Sequence, residues 1–178
     1  MTESKQEYTT LLSAGMIVEK TDPRIDFRGH LDSLAALIVR VQVEAELQGQ
    51  HALIEELEEV RTKVYEIFSC EATGKPCKEL LLWGLEAEEI RVRSHHPDQY
   101  YGIGHIRPHY TMGASAAGLN ELRTKIRETE LSACRAFATP EGESSRPDIV
   151  KVLNRLSSAL YILTYQYLPK GYDKTVRF

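Results

Sequence analysis

The sequence has 178 residues, of which 42% are hydrophobic and 27% charged, a composition typical of one globular domain that can bury a sizeable core. Its net charge of -4 argues against a protein held on nucleic acid by bulk electrostatics. No apolar run reaches the roughly 18 residues of a membrane-spanning helix, and the polar start MTESKQEY lacks the apolar segment of a signal peptide. We therefore expect one domain, 1–178, in the cytoplasm, with neither a membrane nor a nucleic acid as partner.

Two amphipathic helices are predicted in the first half of the chain. Apolar residues recur at steps of three and four over 30–48, and they do so again over 52–69. The seam positions are Leu31, Leu34, Ile38, Val41 and Ala45 in the first segment and Leu53, Leu57, Val60, Val64 and Ile67 in the second. Each seam is wide enough to bury one face of a helix against a neighbour.

A long section follows, at about 70–113. SCEATGKPCKE is rich in turn-forming residues, LEAEEIRVRSHH is compatible with a short helix, and PDQYYGIGHIRPHYTMG mixes Gly, Pro, aromatic residues and His as ordered loops do. Long connections inside compact domains are usually functional or disordered. We expect this section to be an ordered loop that forms a wall of a site.

Two further helices are predicted at 113–138 and 147–168, separated by the break TPEGESSRP. Their apolar seams are Leu119, Leu122, Ile126, Thr129, Ala133 and Phe137, and then Ile149, Leu153, Leu156, Leu160, Leu163 and Tyr167. The steps of four and three are those of left-handed bundle packing. No segment is a convincing strand. The sequence predicts an all-α, up-and-down helical bundle of four to five main helices with the long ordered loop section inserted.

Charged residues lie at the edge of the third seam. Arg123, Arg127 and Glu130 are four and three residues apart. Spacing alone favours a solvated edge, where such pairs contribute only about 0.2–0.5 kcal/mol each. The last helix, however, places Asn154 and Arg155 between two apolar seam residues. Two helices thus offer guanidinium groups near the bundle interior, which suits the oxygens of a polyphosphate.

The same residues carry a resemblance to a known family. RTKIRETELSACRAF followed by IVKVLNRLSSALYILTYQYL resembles the signature of corrinoid (ATP:cob(I)alamin) adenosyltransferases of the propanediol-utilisation type, an Arg, then Arg-Arg-x-Glu-Arg, then Asn-Arg-Leu-Ser-Asp. YTTLLSAGMIVEKTDPRIDFRGHLDSLAAL is similar to the N-terminal motifs of that family. The matching positions are Tyr8, Thr9, Thr10, Lys20, Asp22, Gly29, Asp32, Arg123, Arg127, Glu130, Asn154 and Arg155. LWGLEAEEIRVRSHHPDQYYGIGHIRPHYTMG looks like the ethanolamine-utilisation branch, so the resemblance spans about 8–168.

The resemblance implies an enzyme that transfers the 5′-deoxyadenosyl group of ATP to the cobalt of cob(I)alamin in ethanolamine utilisation. Arg127, Lys20 and the backbone of Thr9 and Thr10 would hold the triphosphate, and Glu130 would bind the ATP side or its Mg²⁺. Asn154 and Arg155 would fix the nucleotide. The catalytic group would comprise Arg123, Arg127 and Glu130, with Arg123 paired to Asp32 across a subunit boundary.

The resemblance also implies a corrinoid site and partners. In the propanediol branch an aromatic residue three positions before a proline helps to remove the lower cobalt ligand, and His105 stands three before Pro108 here. His105 would contact the corrin or ligate cobalt, and Ile106, Tyr100 and Tyr101 would provide apolar cover. The implied partners are ATP, cob(II)alamin or cob(I)alamin, a reductase, Mg²⁺ or another divalent metal, and further copies of the chain in a homotrimer, with a dimer as the alternative.

Several positions depart from the family pattern. The Gly-rich run before Tyr8 is absent, and Glu128, Leu131 and Ser158 stand where the family has Arg, Arg and Asp. A less basic site leaves weaker ATP affinity or altered reliance on a metal open. It also leaves open a corrinoid carrier or sensor without turnover, and a structural bundle of an ethanolamine-processing assembly.

Cysteine and histidine residues give no clear metal motif. The ethanolamine branch often has a His followed by a compact cysteine cluster, but this chain offers only His51, Cys70 and Cys77, without that spacing. The loop histidines, His95, His96, His105 and His109, are irregularly spaced. We expect reduced thiols and ordinary hydrogen-bonded or exposed imidazoles, with a metal site as the alternative.

Overall fold

The structure, a computed structural model, describes residues 6–13 and 15–176. In chain order its α-helices are α1 (Pro23–Leu47), α2 (His51–Thr73), α3 (Ala87–His95), α4 (Pro97–Tyr101), α5 (Gly113–Ala136) and α6 (Pro147–Gln166). A 3₁₀ turn, Tyr110–Met112, precedes α5. The four long helices form a bundle, which confirms the predicted all-α class. The ends of the predicted domain, 1–5 and 177–178, lie outside the described residues.

The core lies where the four long helices meet. α5 packs along both α1 and α6, and α2 packs along α1. Every seam residue predicted for the first three long helices is buried, and so are those of α6 except the half-buried Tyr167. The three-and-four periodicity was therefore sufficient to find the buried face of each helix.

A glycine inside α5 allows α1 to approach closely. A Cβ atom built on Gly118 would lie 3.1 Å from the Val41 Cγ1 atom. Glycine in a helix interior costs roughly 0.5–1 kcal/mol relative to alanine. Its presence at this crossing is explained by the lack of space for a side chain.

α1 begins seven residues before the predicted start at 30. Asp22 caps the helix, because its carboxylate accepts a hydrogen bond of 2.8 Å from the Arg24 backbone N–H, and Pro23 occupies the first turn. The added turns carry Arg24 and Arg28, which both donate to the buried carboxylate of Glu71 near the end of α2. This ion cluster joins the start of α1 to the end of α2.

Two short hairpins are present where the sequence predicts no strand. β1 (Thr9–Ser13) pairs antiparallel with β2 (Met16–Glu19), and β3 (Leu81–Leu82) pairs with β4 (Leu85–Glu86). Strands of two to five residues are too short to show a clear alternation. The second turn also needs Trp83 at φ 52°, an uncommon value for an aromatic residue. Two hydrogen bonds hold Trp83 in this conformation: its backbone N–H donates to Glu59 Oε2 at 3.0 Å, and its indole N–H donates to the Glu56 carbonyl at 3.2 Å.

The loop section is ordered by contacts with α6 and with the C-terminal segment. α3 packs on α6. The Arg107 N–H donates to the Lys174 carbonyl at 2.9 Å, and the Val176 N–H donates to the His105 carbonyl at 2.7 Å. These bonds fix the strand-like stretch around Ile106 beside α6, as a wall of a site requires. Among the described helices, none is long and apolar enough to cross a membrane.

Candidate active site

A cavity of about 630 Å³ opens between α5, α6 and the loop section. Its wall includes Arg123 and Arg127 from α5, Tyr161 from α6, and the loop residues His105 and Ile106. Pockets of roughly 300–1,000 Å³ are typical of small-molecule and cofactor sites. The structure thus brings Arg127, predicted to hold the triphosphate, and Arg123, predicted to be catalytic, into one wall with two of the predicted corrinoid residues.

The two arginines lie on one face of α5 because they are four residues apart. Arg123 is half-buried with its Cζ atom 5.1 Å from the centre of the Tyr161 ring, a cation–π geometry, whereas Arg127 is exposed. Burial, and then the charge of Arg127, lowers the pKa of Arg123 from its ordinary value. Within the described residues no carboxylate pairs with either guanidinium. Their charges are therefore available to an anionic ligand.

Glu130 and Asn154 meet beside this cavity. The Asn154 Nδ2 group donates to Glu130 Oε1 at 2.9 Å, and the Arg155 guanidinium donates to Asn154 Oδ1 at 2.6 Å. Arg155 itself lines a second cavity of about 340 Å³ together with Lys151 and Cys77. Glu130, Asn154 and Arg155 thus form one connected group, but Arg155 contributes to the wall of a different cavity from Arg123 and Arg127.

The residues predicted for the corrinoid take different places. His105 and Ile106 lie in the wall of the large cavity. Tyr101 lies behind that wall, with its ring 4.9 Å from the ring of Tyr165 and nearly parallel to it. Tyr100 is 47% exposed and carries the Arg93 guanidinium 5.4 Å from its ring centre. Of the residues predicted for the corrinoid, His105 and Ile106 thus line the cavity, and Tyr101 packs behind them.

The N-terminal residues gather at the base of the first hairpin. Thr9 pairs with Glu19, Thr10 pairs with Val18, and the Lys20 N–H donates to the Tyr8 carbonyl at 2.8 Å. Lys20 lines a surface pocket with Asp26 and Arg135, separate from the large cavity. Arg135 is eight residues beyond Arg127, about 12 Å along a helix axis. Within one chain, Thr9, Thr10 and Lys20 are together but are not joined to Arg127.

Asp32 is exposed on α1. Among the described residues, no hydrogen bond or ion pair joins it to Arg123 of the same chain. The pair therefore stays a prediction about two copies of the chain.

Sequence reasoning missed some residues of these sites. Tyr161, Ser157 and Asn120 line the large cavity, and Arg135 accompanies Lys20. Tyr161 stands seven residues after Asn154 and four after Ser157, so helical periodicity around the Asn-Arg motif is the signal that could have identified it.

Cys70, in the last turns of α2, and Cys77, in the segment that follows, lie close together. Cys70 Sγ is 3.7 Å from the Pro76 carbonyl oxygen, and the Cys77 N–H donates to Asp148 Oδ2 at 2.8 Å. Burial, and then hydrogen bonding with the Cys70 thiol, raises the pKa of Cys77, which favours thiol over thiolate. Within the described part of the chain, no group of three or more His, Cys, Asp or Glu side chains is placed to hold a metal ion.

The fold and the cavity together define a helical bundle with an arginine pair in the wall of its largest described cavity. A family model described as cobalamin adenosyltransferase matches residues 1–167, and the chain belongs to this family. Curated relatives are the corrinoid adenosyltransferases EutT of Escherichia coli K12, 40% identical, and of Salmonella typhimurium LT2, 39% identical. Each match runs over 159 residues and covers 89% of this chain and 58% of the relative. The chain therefore spans just over half the length of these curated relatives.

A solved structure has the same fold. A variant of a PduO-type ATP:co(I)rrinoid adenosyltransferase from Lactobacillus reuteri, complexed with ATP, matches 99% of both chains with a TM-score of 0.64. At 19% sequence identity, this likeness supports the fold and nothing finer.

Proposed function

We propose that this chain transfers the 5′-deoxyadenosyl group of ATP to the cobalt of cob(I)alamin, giving adenosylcobalamin and triphosphate, in ethanolamine utilisation. The observation that carries the proposal is the shared wall of the large cavity. It combines Arg123 and Arg127, which have no carboxylate partner in the described part of the chain, with the loop residues His105 and Ile106. The family match and the EutT relatives support the same reaction.

The proposed chemistry asks for alignment and charge stabilisation rather than a general base. Cobalt(I) attacks C5′ with its electron pair and forms the Co–C bond, so that cobalt becomes Co(III). The C5′–O bond breaks, and triphosphate leaves with the bonding electrons. The polyanionic leaving group is stabilised by guanidinium groups fixed in advance, which cost no reorganisation during the reaction. Arg127, exposed at the cavity, is the residue we assign to this task, with Arg123 behind it.

The nucleotide would extend from Arg127 toward Glu130 and Asn154. Asn154 holds one oxygen of the Glu130 carboxylate, which fixes that side chain one turn beyond Arg127. Mg²⁺ bound to nucleotide phosphates usually takes only one or two protein carboxylates. Glu130 therefore fits a Mg²⁺ carried by ATP, and the ion would help neutralise the phosphate charge.

A neighbouring copy of the chain would complete the site. Thr9, Thr10 and Lys20 lie away from Arg127 within one chain, and Asp32 is exposed on α1. We propose that a homotrimer, or failing that a dimer, brings these residues to the arginines of the next subunit. The reductase that supplies cob(I)alamin, the role of Arg155 in binding nucleotide and the cytoplasmic location also stay predictions.

The direct test is an anaerobic assay with chemically reduced cob(I)alamin, ATP, Mg²⁺ and the purified chain. We expect the light-sensitive spectrum of adenosylcobalamin to appear in proportion to protein. A reaction without ATP and a reaction with β,γ-imido ATP, which still has a leaving group at C5′, separate transfer at carbon from hydrolysis of the terminal phosphate.

Two other outcomes would replace the proposal. Corrinoid binding without ATP-dependent product would identify a carrier or sensor. A melting temperature that neither ATP nor cobalamin raises would indicate a structural bundle, because a ligand that binds the native state stabilises it by mass action.

A further inference from the structure

A run of hydrogen bonds connects the wall of the large cavity with a buried hydroxyl group on α6. The His105 Nδ1 atom lies 3.0 Å from the Tyr161 hydroxyl oxygen, which lies 2.8 Å from the Tyr165 hydroxyl oxygen. The Tyr165 hydroxyl lies 3.0 Å from the Gly104 carbonyl oxygen and 3.3 Å from the Ile106 amide nitrogen. Two of these four contacts involve backbone groups: the Gly104 carbonyl can only accept a hydrogen bond, and the Ile106 N–H can only donate one.

Those backbone groups set the direction of every proton in the run. In the arrangement that satisfies all four contacts at once, the single Tyr165 proton is donated to the Gly104 carbonyl oxygen, which can only accept, and the Ile106 N–H donates to the Tyr165 oxygen. In this arrangement the Tyr165 proton is already used, so across the 2.8 Å contact between the two hydroxyl groups Tyr161 supplies the proton and Tyr165 accepts it. With that proton used, the Tyr161 oxygen accepts from His105, and Nδ1 is the nitrogen of His105 that carries hydrogen.

Tyr161 also contacts the arginine side of the cavity. The Arg123 Cζ atom lies 5.1 Å from the centre of its ring, and the His105 ring lies nearly parallel to it, at 6.0 Å between centres. A single side chain therefore touches Arg123, predicted to be catalytic, and His105, predicted to face the corrinoid.

We propose that Tyr161 is a positioning residue for both halves of the site: its ring face holds the Arg123 guanidinium, and its hydroxyl group holds His105 as an imidazole protonated on Nδ1. The consequences for kinetics rest on the proposed adenosyl transfer. The protonated nitrogen of His105 does not depend on that function.

The surroundings of Tyr161 make this positioning rigid. Burial, and then hydrogen bonding with Tyr161, raises the pKa of Tyr165, so its hydroxyl remains a donor at physiological pH. The parallel contact with Tyr101 fixes the ring of Tyr165. The His105 backbone is fixed separately, by the bond from the Val176 N–H to its carbonyl oxygen.

Two substitutions at one position separate the two contacts. Tyr161→Phe keeps the ring face toward Arg123 and removes only the hydroxyl group. We expect the KM for cob(I)alamin to rise about fivefold, with the KM for ATP changed less than about twofold, because only corrinoid binding depends on the fixed imidazole. Tyr161→Leu removes the ring as well, and we expect it also to lower kcat about tenfold because Arg123 is no longer held.

A matched control is available in the apolar cluster beside the site. Tyr172 belongs to that cluster and donates its hydroxyl hydrogen to the Arg107 carbonyl oxygen at 2.5 Å. Tyr172→Phe deletes the same atom without breaking the run to His105. We expect both KM values and kcat to stay within about twofold of the parent values.

The second readout is the ¹⁵N spectrum of the histidine rings, recorded without substrates in mildly alkaline buffer. His105 is assigned by the signals lost in His105→Gln. We expect Nδ1 to be the protonated nitrogen in the parent chain and in Tyr172→Phe, and we expect Tyr161→Phe to redistribute the proton between Nδ1 and Nε2.

The outcomes distinguish this inference from the proposed function. Protonation of His105 on Nε2 in the parent chain, or a cob(I)alamin KM unchanged in Tyr161→Phe, would overturn the positioning role. If the parent chain forms no adenosylcobalamin, the proposed function fails. In that case, an Nδ1 proton that is redistributed by Tyr161→Phe would still support Tyr161 as the residue that orients His105.

Discussion

Two pairs of arginines in this molecule have the same spacing along a helix but differ in their partners and surroundings. Arg24 and Arg28 are four residues apart on α1, as Arg123 and Arg127 are on α5. The first pair converges on the Glu71 carboxylate, whose side chain is 0% exposed, with Arg28 Nε at 2.6 Å from it. The second pair faces a cavity and, within the described part of the chain, has no carboxylate partner.

The difference separates arginines that share a buried carboxylate from arginines that line a cavity without one among the described residues. Glu71 compensates Arg24 and Arg28, so this cluster stabilises the contact between two helices. Arg123 and Arg127 instead repel one another, and that repulsion contributes to the lowered pKa of Arg123. A fold keeps uncompensated charges close together when a ligand of opposite sign is to be bound.

The largest effect that would test this comparison is on stability. Glu71→Gln leaves two partly buried guanidinium groups without a counter-charge. Breaking a fully buried ion pair typically costs about 3–5 kcal/mol, and because both arginines here keep contact with water we expect about 2 kcal/mol of unfolding free energy to be lost. Urea denaturation of the purified variant and parent measures it.

A matched control uses an exposed pair. Glu79 pairs with Lys151, and its side chain is 75% exposed. Glu79→Gln should leave the urea denaturation midpoint within experimental error of the parent, because exposed ion pairs contribute little to stability. Equal losses in the two variants would mean that burial of Glu71 is not what makes the α1 pair structural.

The second effect is on activity: the α5 pair should matter for turnover and little for stability, the reverse of what we expect for the α1 pair. Arg127→Ala removes an exposed guanidinium from the cavity, so we expect turnover in the adenosyl-transfer assay to fall at least tenfold, about 1.4 kcal/mol of transition-state stabilisation. The unfolding free energy should change by less than about 0.5 kcal/mol, because substitutions at surface positions rarely do more.

Arg91, an exposed arginine on α3 that pairs with Glu88, provides the control. Arg91→Ala should leave turnover unchanged. Unchanged turnover in Arg127→Ala, with the fold intact, would remove Arg127 from the proposed leaving-group site and return the α5 pair to a solvated helix edge.

The helices and their buried faces could be predicted because their signal is local. A seam repeated over five or six residues fixes a helix and its orientation, and the structure confirms the seams of α1, α2 and α5 without exception. The start of α1 was predicted too late because the seam was begun at Leu31, whereas it continues to the buried Phe27 and the helix starts at the Asp22 cap and Pro23.

The candidate site could be predicted only in part because its contacts are not local. Spacing alone does not distinguish Arg24 and Arg28 from Arg123 and Arg127, since Glu71 follows Arg28 by 43 residues. The separate cavity of Arg155 and the distance of Lys20 from Arg127 also depend on packing between elements. The contacts of Tyr161 follow from the same packing, and no sequence motif shows them.

The smallest effect concerns a fifth arginine, Arg146, which has a carboxylate partner as the α1 pair does but a partner that is partly exposed. Arg146 is held by the Asp148 carboxylate through Nε at 3.0 Å and Nη2 at 2.9 Å, with both side chains partly exposed. Hydrogen bonds from Arg146, and then from the Cys77 N–H, lower the pKa of Asp148 from 3.8 to about 2. A carboxyl group whose folded pKa is depressed adds stability above its unfolded pKa and loses it as the pH falls through the folded value.

This pair should therefore contribute stability that is fully present above about pH 4 and lost between pH 3.8 and about 2. Solvent screening keeps the contribution below about 1 kcal/mol. The measurement is the unfolding free energy at several pH values across that window. We expect it to fall less steeply with decreasing pH in Asp148→Asn than in the parent, and equally steeply in Arg127→Ala. An unchanged slope in Asp148→Asn would place the acid-sensitive group elsewhere, because a carboxyl group with a depressed folded pKa makes stability depend on its own protonation.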